Sequence, residues 1–596
     1  MKLLQETQTR FQKFSETLDR LMLILAGSVI ATLLIEYGFY IDSVTERIIH
    51  LFNSVVIFYF VFFNFAKLIL NPKPINYLRK KWIEFLLTFL ILLQTFGFLF
   101  YIQKPYLNLD IQTITRIYIA SVQIYLTLDI ALKTIRQSEK IIQKSIHPTR
   151  VLVSSFLLLI LLGTILLLLP KSTHNGISLI NALFTATSAV CVTGLIVVDT
   201  GTYFTQFGQL IILILIQLGG LGIMTFTTFF TLLLSGGLGI KERVLLSEIF
   251  SQSNLSKISS TIIRILFLTF SIEAIGAIAL FNFLPDSFFK NETEKIFCAV
   301  FHSVSAFCNA GFSTFSNNLM DIKYNIPSIL TIAILFILGG LGFIVLNEYI
   351  EKPILKILRN IKFLRPKIEP QRIVFTLHSK LTLYTTIILI ITGTLLFFTL
   401  EFNNTLKTEP FIYKISHSFF QAVTPRTAGF NTIDISKISI PTSLLIMLLM
   451  WIGASPGSTG GGIKTTSFAI IILKIHATIT GKERVEVFNK QINEETITRA
   501  FASATLSILL IISSTFILTL TEKGTNLIDL FFEVVSAFGT VGLSRGITPG
   551  LTNFGKLIII IMMFIGRIGP LAFAFALFGK VERRNYEFQK ENVLVT

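Results

Sequence analysis

Ser536-Ala537-Phe538-Gly539-Thr540-Val541-Gly542 is the stretch on which the reading of this chain turns. It follows an apolar run, Leu527 to Val535, that holds a single carboxylate, Glu533. It precedes polar loop residues (Ser544, Arg545, Thr548, Pro549) and a long apolar segment from Phe554. An apolar segment, a glycine turn and a second apolar helix predict a re-entrant hairpin. Such irregular backbone survives at membrane depth only where it lines a wet cavity or is buried in protein.

The pattern occurs three more times. Ser188-Ala189 precedes Val192-Thr193-Gly194, and Ser305-Ala306 precedes Asn309-Ala310-Gly311. In a further copy Val423 replaces the serine and Thr427-Ala428-Gly429 follows. The Ser or Val stands six residues before its glycine each time, and the glycines recur at intervals of 117, 118 and 113 residues. With 36 glycines in the chain, isolated coincidences are expected, but matching flanks are not. A period this long is no solenoid; it predicts four copies of one membrane unit.

Composition agrees. Of 596 residues, 52% are hydrophobic and 14% charged, with mean hydropathy +0.72. A soluble chain would carry about 25% charged residues. The segment from Leu21 to Tyr40 follows a charged start without a convincing small-residue cleavage site, so a retained helix is expected. The net charge of +17 would suit nucleic acid, but Lys and Arg fall in alternate loops. The clusters are Lys73 to Lys81, Arg136 to Arg150, Lys241 with Arg243, Lys352 to Arg372, Lys482 with Arg484, and Lys580 to Arg584. This asymmetry puts these loops and both termini in the cytoplasm and argues against nucleic acid. Cys191, Cys298 and Cys308 have no zinc spacing; Cys191 and Cys308, each three residues before a turn glycine, read as small packing residues.

The expected order is an amino-terminal bundle (1–145) of about four transmembrane helices near 21–40, 48–70, 82–103 and 112–134, then units at 146–250, 251–372, 373–492 and 493–596. Glu36, Glu84 and Asp129 in the bundle are read as interfacial or hydrogen-bonded acids. Each unit is predicted to be an outer helix, a short helix leading into the glycine turn and a long inner helix. The inner helices are expected near 206–235, 327–349, from Pro441, and near 554–579. Leu218-Gly219-Gly220-Leu221-Gly222 in the first is echoed by Leu338-Gly339-Gly340-Leu341-Gly342 in the second, for close packing or for a hinge. The fold class is thus an all-α polytopic membrane protein, four outer–short–inner units around one central pore.

A potassium ion must exchange its water shell for ligands of like strength. Backbone carbonyls supply these if several point at one axis, which calls for alternating or left-handed φ. Thr540-Val541-Gly542 resembles the start of a potassium-channel filter. Phe307 to Phe312, Thr424-Pro425-Arg426-Thr427-Ala428-Gly429-Phe430-Asn431 and Phe538 to Ser544, with Arg150-Val151-Leu152 opening the first unit, make residues 145–585 similar to the Trk/Ktr/HKT superfamily of potassium transporters. The bacterial Ktr-type membrane subunit is the nearest match, and the first 145 residues fall outside it. The resemblance implies potassium uptake across the bacterial cytoplasmic membrane, a homodimer, and a cytosolic nucleotide-binding ring of RCK type that controls gating. It implies a filter of Val192-Thr193-Gly194, Asn309-Ala310-Gly311, Thr427-Ala428-Gly429 and Thr540-Val541-Gly542, with K+ held by carbonyls and no covalent cofactor. One glycine per unit implies a loose filter, so sodium passage stays open. Relatives with serine at the first position favour sodium, so Gly194 argues for potassium.

Ala454-Ser455-Pro456-Gly457-Ser458-Thr459-Gly460-Gly461-Gly462 interrupts the third inner helix. Glycine costs about 1 kcal/mol and proline about 3 in a helix, so this run is expected to be a loop. The resemblance makes Gly457 to Gly462 a gating loop below the filter. A phosphate-binding loop is the competing reading, but the Walker spacing is missing. Arg567, in Gly566-Arg567-Ile568-Gly569-Pro570, is too deep to snorkel comfortably; the resemblance places it beside the gating loop. Its donors are expected to reach loop carbonyls and hydroxyls such as those of Ser458 and Thr459. Glu533 is expected to brace the short helix or the filter, and Glu273 has no assigned role. A membrane enzyme lacks a His-Glu-x-x-His or Gly-x-Ser-x-Gly site, and a receptor or scaffold does not need four matched turns.

Overall fold

The computed structural model describes most of residues 21–93, then 148–222, 258–350 and 375–578, with Gln589. Four long helices, Pro148–Leu167, Ile258–Phe283, Leu377–Glu401 and Glu494–Thr521, each have 20 to 28 residues. At about 1.5 Å per residue each spans the roughly 30 Å hydrocarbon layer. Each contains a long apolar window, and only 28% to 33% of that window is buried. Side chains such as Leu158, Phe267, Leu395 and Phe516 therefore face outward, as lipid requires.

Each long helix is followed by a short one: Leu179–Val190, Glu292–Phe307, Phe411–Val423 and Leu527–Gly539. At 12 to 16 residues these cannot cross a bilayer, and their carboxyl-terminal halves are buried. A third set, Gln206–Leu221, Ile326–Leu341, Ile440–Trp451 and Asn553–Ile568, returns through the interior. Their starts were written locally. Thr205, Asn325, Ser439 and Thr552 each accept from the N–H three residues on, at 3.1–3.4 Å.

The inner helices depart from expectation. The spans 327–349 and 554–579, expected as continuous, break at Gly342 (φ 91°) and Gly569 (φ 95°) and bend by 106° and 97° into Phe343–Ile350 and Pro570–Phe578. The first ends at Gly222 (φ 79°), and 223–235 lie outside the described residues. The cause is backbone geometry: positive φ with ψ of 133–141° is open essentially to glycine alone. The third breaks at Ile452 into the expected loop and resumes as Thr465–Ile479. A hairpin, Glu486–Val487 with Lys490–Gln491, joins it to the fourth long helix.

Among the described residues before 148, Ser43–Ile69 is long and apolar enough to span. Glu36 pairs with His50 Nε2 at 3.2 Å, a structural hydrogen bond. The expected segment 82–103 is described only at scattered positions; Glu84 and the segment 112–134 with Asp129 lie outside the described residues.

Candidate functional site

Every short helix runs into a turn of one conformation. Positive φ occurs at the glycine and two residues earlier: Val192 (56°) and Gly194 (88°), Asn309 (60°) and Gly311 (70°), Thr427 (73°) and Gly429 (74°), Thr540 (50°) and Gly542 (94°). For β-branched Val192, Thr427 and Thr540 this costs on the order of 1–3 kcal/mol each, so the surroundings must hold it. The anchors are present. Thr193, Ala310 and Val541 donate their N–H to the carbonyls of Ser188, Ser305 and Ser536 at 2.7–2.9 Å. Where Val423 replaces the serine, Ala428 N–H uses the carbonyl of Thr424 at 2.9 Å. The serine hydroxyls add to this: Ser188 Oγ accepts from Gly194 N–H at 3.0 Å and Ser536 Oγ from Gly542 N–H at 3.2 Å. Ser305 and Thr424 instead donate to the carbonyls of Phe312 (2.8 Å) and Phe430 (2.6 Å).

The four turns close on one another. A Cβ on Gly194 would run into the carbonyl oxygen of Ala310, one on Gly311 would stand 2.8 Å from that of Ala428, one on Gly429 would meet that of Val541, and one on Gly542 that of Thr193. The order 194–311–429–542 thus returns to its start, and no side chain fits at any of the four positions. On one side of this ring lies a cavity of about 230 Å³ lined by all four glycines, with Asp199, Ser313, Asn431 and Ser544.

The broken helices lie on the other side. Counting back from the breaking glycine aligns Gly219-Gly220, Gly339-Gly340 and Gly566-Arg567. The first member is a packing position: a Cβ on Gly219, Gly339 or Gly566 would strike the carbonyl of Val190, Phe307 or Phe538 at the end of the unit's own short helix. The first glycine of the motif is thus a packing position, and the last is where the helix breaks.

The loop of the third unit fills the space beneath the ring. Thr459 Oγ1 donates to the Phe307 carbonyl (3.3 Å) and Asn309 Oδ1 (3.2 Å). Gly461 N–H donates to Thr540 Oγ1 (3.0 Å), and a Cβ on Gly460 would collide with Thr427. The loop thus touches the residues two before the glycine in three of the four turns. It is tied to the breaks as well, because Ser455 N–H donates to the Gly340 carbonyl (3.0 Å), Phe343 N–H to Gly457 (2.9 Å) and Gly462 N–H to Gly566 (3.3 Å). Ser458 Oγ stays within the loop, on the Ser455 carbonyl at 2.6 Å.

Arg567 occupies the position that is glycine in the first two units. Its guanidinium donates to the carbonyls of Thr459 and Gly219, and at 3.0 Å to Gly220. The last two are orphan carbonyls of a helix that ends at Leu221. The expected contact with a loop carbonyl is present at Thr459; the expected contacts with the hydroxyls of Ser458 and Thr459 are replaced by carbonyls of the first inner helix.

Glu533 is fully buried and accepts from the hydroxyls of Ser544 (2.9 Å) and Thr548, tying the strand beyond the fourth turn to its short helix. Glu273 receives Gln217 Nε2 at 3.2 Å and the Cys308 thiol at 3.8 Å, a bridge between units that local sequence does not announce. Two side-chain contributions lay beyond the sequence reading. Asn309, expected in the filter for its carbonyl, also donates Nδ2 to Thr427 Oγ1 (3.1 Å), stapling neighbouring turns. Arg545 reaches Asp529 (2.5 Å) and Ser443 (2.7 Å), fastening the loop after the fourth turn to the third inner helix.

The family model for TrkH, a cation transport protein, matches residues 119–586. The chain is 42% identical over 456 residues to the Ktr system potassium uptake protein B of Bacillus subtilis, covering 76% of this chain and 98% of that one. It is 37% identical over 466 residues to the potassium/sodium uptake protein NtpJ of Enterococcus hirae, covering 77% and 99%. The potassium transporter TrkH from Vibrio parahaemolyticus, 16% identical, shares the fold with a TM-score of 0.59 over 83% of this chain and 97% of that one. These relatives are transporters rather than enzymes, and by extent and identity the chain belongs to the TrkH cation transport protein family.

Proposed function

We propose that this protein takes up potassium through a gated pore formed by one chain, with Val192 to Gly194, Asn309 to Gly311, Thr427 to Gly429 and Thr540 to Gly542 as its selectivity filter. The observation that carries this is the closed ring of four glycines. Alternating signs of φ turn successive carbonyls to one side, the arrangement that replaces an ion's water shell. The short helices end at the ring, so their carboxyl-terminal dipoles, roughly half a negative charge each, favour a cation there. Gly457 to Gly462 and Arg567 form the gate: the loop obstructs the path and the guanidinium pins it. Replacing each glycine in turn with serine is expected to reduce the preference for potassium over sodium in isotope uptake; unchanged preference in all four would refute the filter.

A mixed sodium and potassium transporter is the second reading. Its support is the single glycine per turn, which offers few carbonyl layers, and the relative named for both ions. The pore chain works as a homodimer in the bacterial cytoplasmic membrane. Both termini lie inside, an orientation that the placement of Lys and Arg supports. A cytosolic nucleotide-binding ring of RCK type docks on the basic inner loops, including Lys352 to Arg372 and Lys482 to Lys490. Nucleotide acts through that partner.

A further inference from the structure

The tie made by Glu533 has a counterpart built from another residue. His302 stands nine residues before Gly311, as Glu533 stands nine before Gly542; Ser313 and Ser544 each follow their glycine by two. His302 Nδ1 lies 2.9 Å from the carbonyl of Cys298, which can only accept, so Nδ1 carries the proton. Nε2 is then an acceptor, and its 2.9 Å contact with Ser313 Oγ is a bond that the serine donates. Ser313 Oγ in turn accepts from Phe315 N–H, and Ser544 Oγ from Gly546 N–H, both at 3.0 Å. The imidazole and the carboxylate thus play one part, a buried acceptor on the short helix that captures the hydroxyl leaving the turn.

The other two units lack this tie. Thr185 and Ile196 hold the equivalent places in the first, and Phe420 and Asn431 in the third. The third has a contact in another register, His417 Nδ1 to Thr432 Oγ1 at 3.0 Å. In the ring order Gly311 and Gly542 stand opposite each other, so the matched ties lie at the two ends of one diameter.

We infer that His302 is a positioning residue for ion selection: through Ser313 it holds the second turn as Glu533 and Ser544 hold the fourth, and the pair sets the width of the ring along the Gly311–Gly542 diameter. This rests on the ring being the filter. A ring that cannot shrink around a smaller ion leaves sodium under-coordinated; a turn freed from its tie can shrink.

The test is potassium uptake against competing sodium in liposomes holding the full chain, normalised to folded protein. His302→Phe and Ser313→Ala each remove the bond, and each is expected to lower the potassium preference roughly three- to tenfold, as for one buried hydrogen bond. His302→Gln restores an acceptor and is expected to recover most of the preference, and H302F/S313A to be no worse than either alone. Wild-type preference in both H302F and S313A, in a preparation where Gly311→Ser loses it, would overturn the inference and leave the filter standing. Preference retained in Gly311→Ser and in the other three glycine variants would overturn both. A purely structural His302 would reduce the yield of folded protein and leave the ion ratio unchanged, which also counts against the inference.

Discussion

Replacing Arg567 with glutamine is expected to open the pore. In the structure two guanidinium nitrogens serve three carbonyls, those of Thr459, Gly219 and Gly220. A hydrogen bond from a charged donor contributes about 1.5–3 kcal/mol. Glutamine is shorter and can keep one of the three at most. If part of the loss is recovered by water, the closed state still loses about 3 kcal/mol relative to the open one, roughly a hundredfold in their ratio. Charge acts in the same direction. At an effective dielectric constant near 20, a monovalent cation passing about 6 Å from the guanidinium is opposed by about 3 kcal/mol, and glutamine removes that barrier. Lysine keeps the charge but cannot fork between the loop and the broken helix, so Arg567→Lys should fall between wild type and Arg567→Gln. The assay is potassium flux into liposomes, divided by the amount of folded protein. If Arg567 only supports folding, the glutamine variant will be poorly expressed with normal flux per molecule. A well-folded variant with wild-type flux and regulation would refute the reasoning.

Deleting Gly457 to Gly462 should likewise raise flux and weaken dependence on the regulatory partner; a folded deletion with unchanged flux would rule out the gate. The purified chain alone should show no nucleotide response, and full nucleotide-responsive transport without a partner would refute the proposed ring. Gly339→Ala places a methyl group against the Phe307 carbonyl, and overpacking of this kind should cost about 1–3 kcal/mol, read as a lower unfolding temperature in detergent. In the loops outside the membrane, burial tends to raise the Glu409 carboxyl, but the hydrogen bond and charge of Lys323 at 2.8 Å outweigh it and hold it below its ordinary value. A carboxylate shifted down contributes stability above its unfolded value and loses it as pH falls through the folded one. Lys323→Gln should therefore lower the unfolding temperature near neutral pH, and the difference should shrink below the ordinary carboxylate range.

Much of this site was legible as pattern. The four glycines, the hydroxyl residues six before three of them and the caps at Thr205, Asn325, Ser439 and Thr552 are local signals, because a helix start or a turn is decided by a few neighbouring residues. So was the loop at Ala454 to Gly462, whose proline and glycines no helix would tolerate. The breaks at Gly222, Gly342 and Gly569 were not legible in the same way. A lone glycine costs a helix only about 1 kcal/mol and is compatible with a continuous span. At Gly342 glycine permits the break, and the bond that holds it runs from Phe343 to Gly457, more than a hundred residues away. The task of Arg567 was hidden for a similar reason. Its bond to the loop carbonyl of Thr459 agrees with the expectation, but its other partners are the carbonyls of Gly219 and Gly220, which become free only because another helix ends there. His302 drew no reading from the sequence, since the acceptor role that it shares with Glu533 exists only once Ser313 has been folded back over it. Sequence by itself determined the membrane class, the fourfold turn and the loop that interrupts the third inner helix, all of which depend on near neighbours. Tertiary structure alone decided how the turns close into a ring and which carbonyls Arg567 meets, because those contacts join residues more than a hundred positions apart.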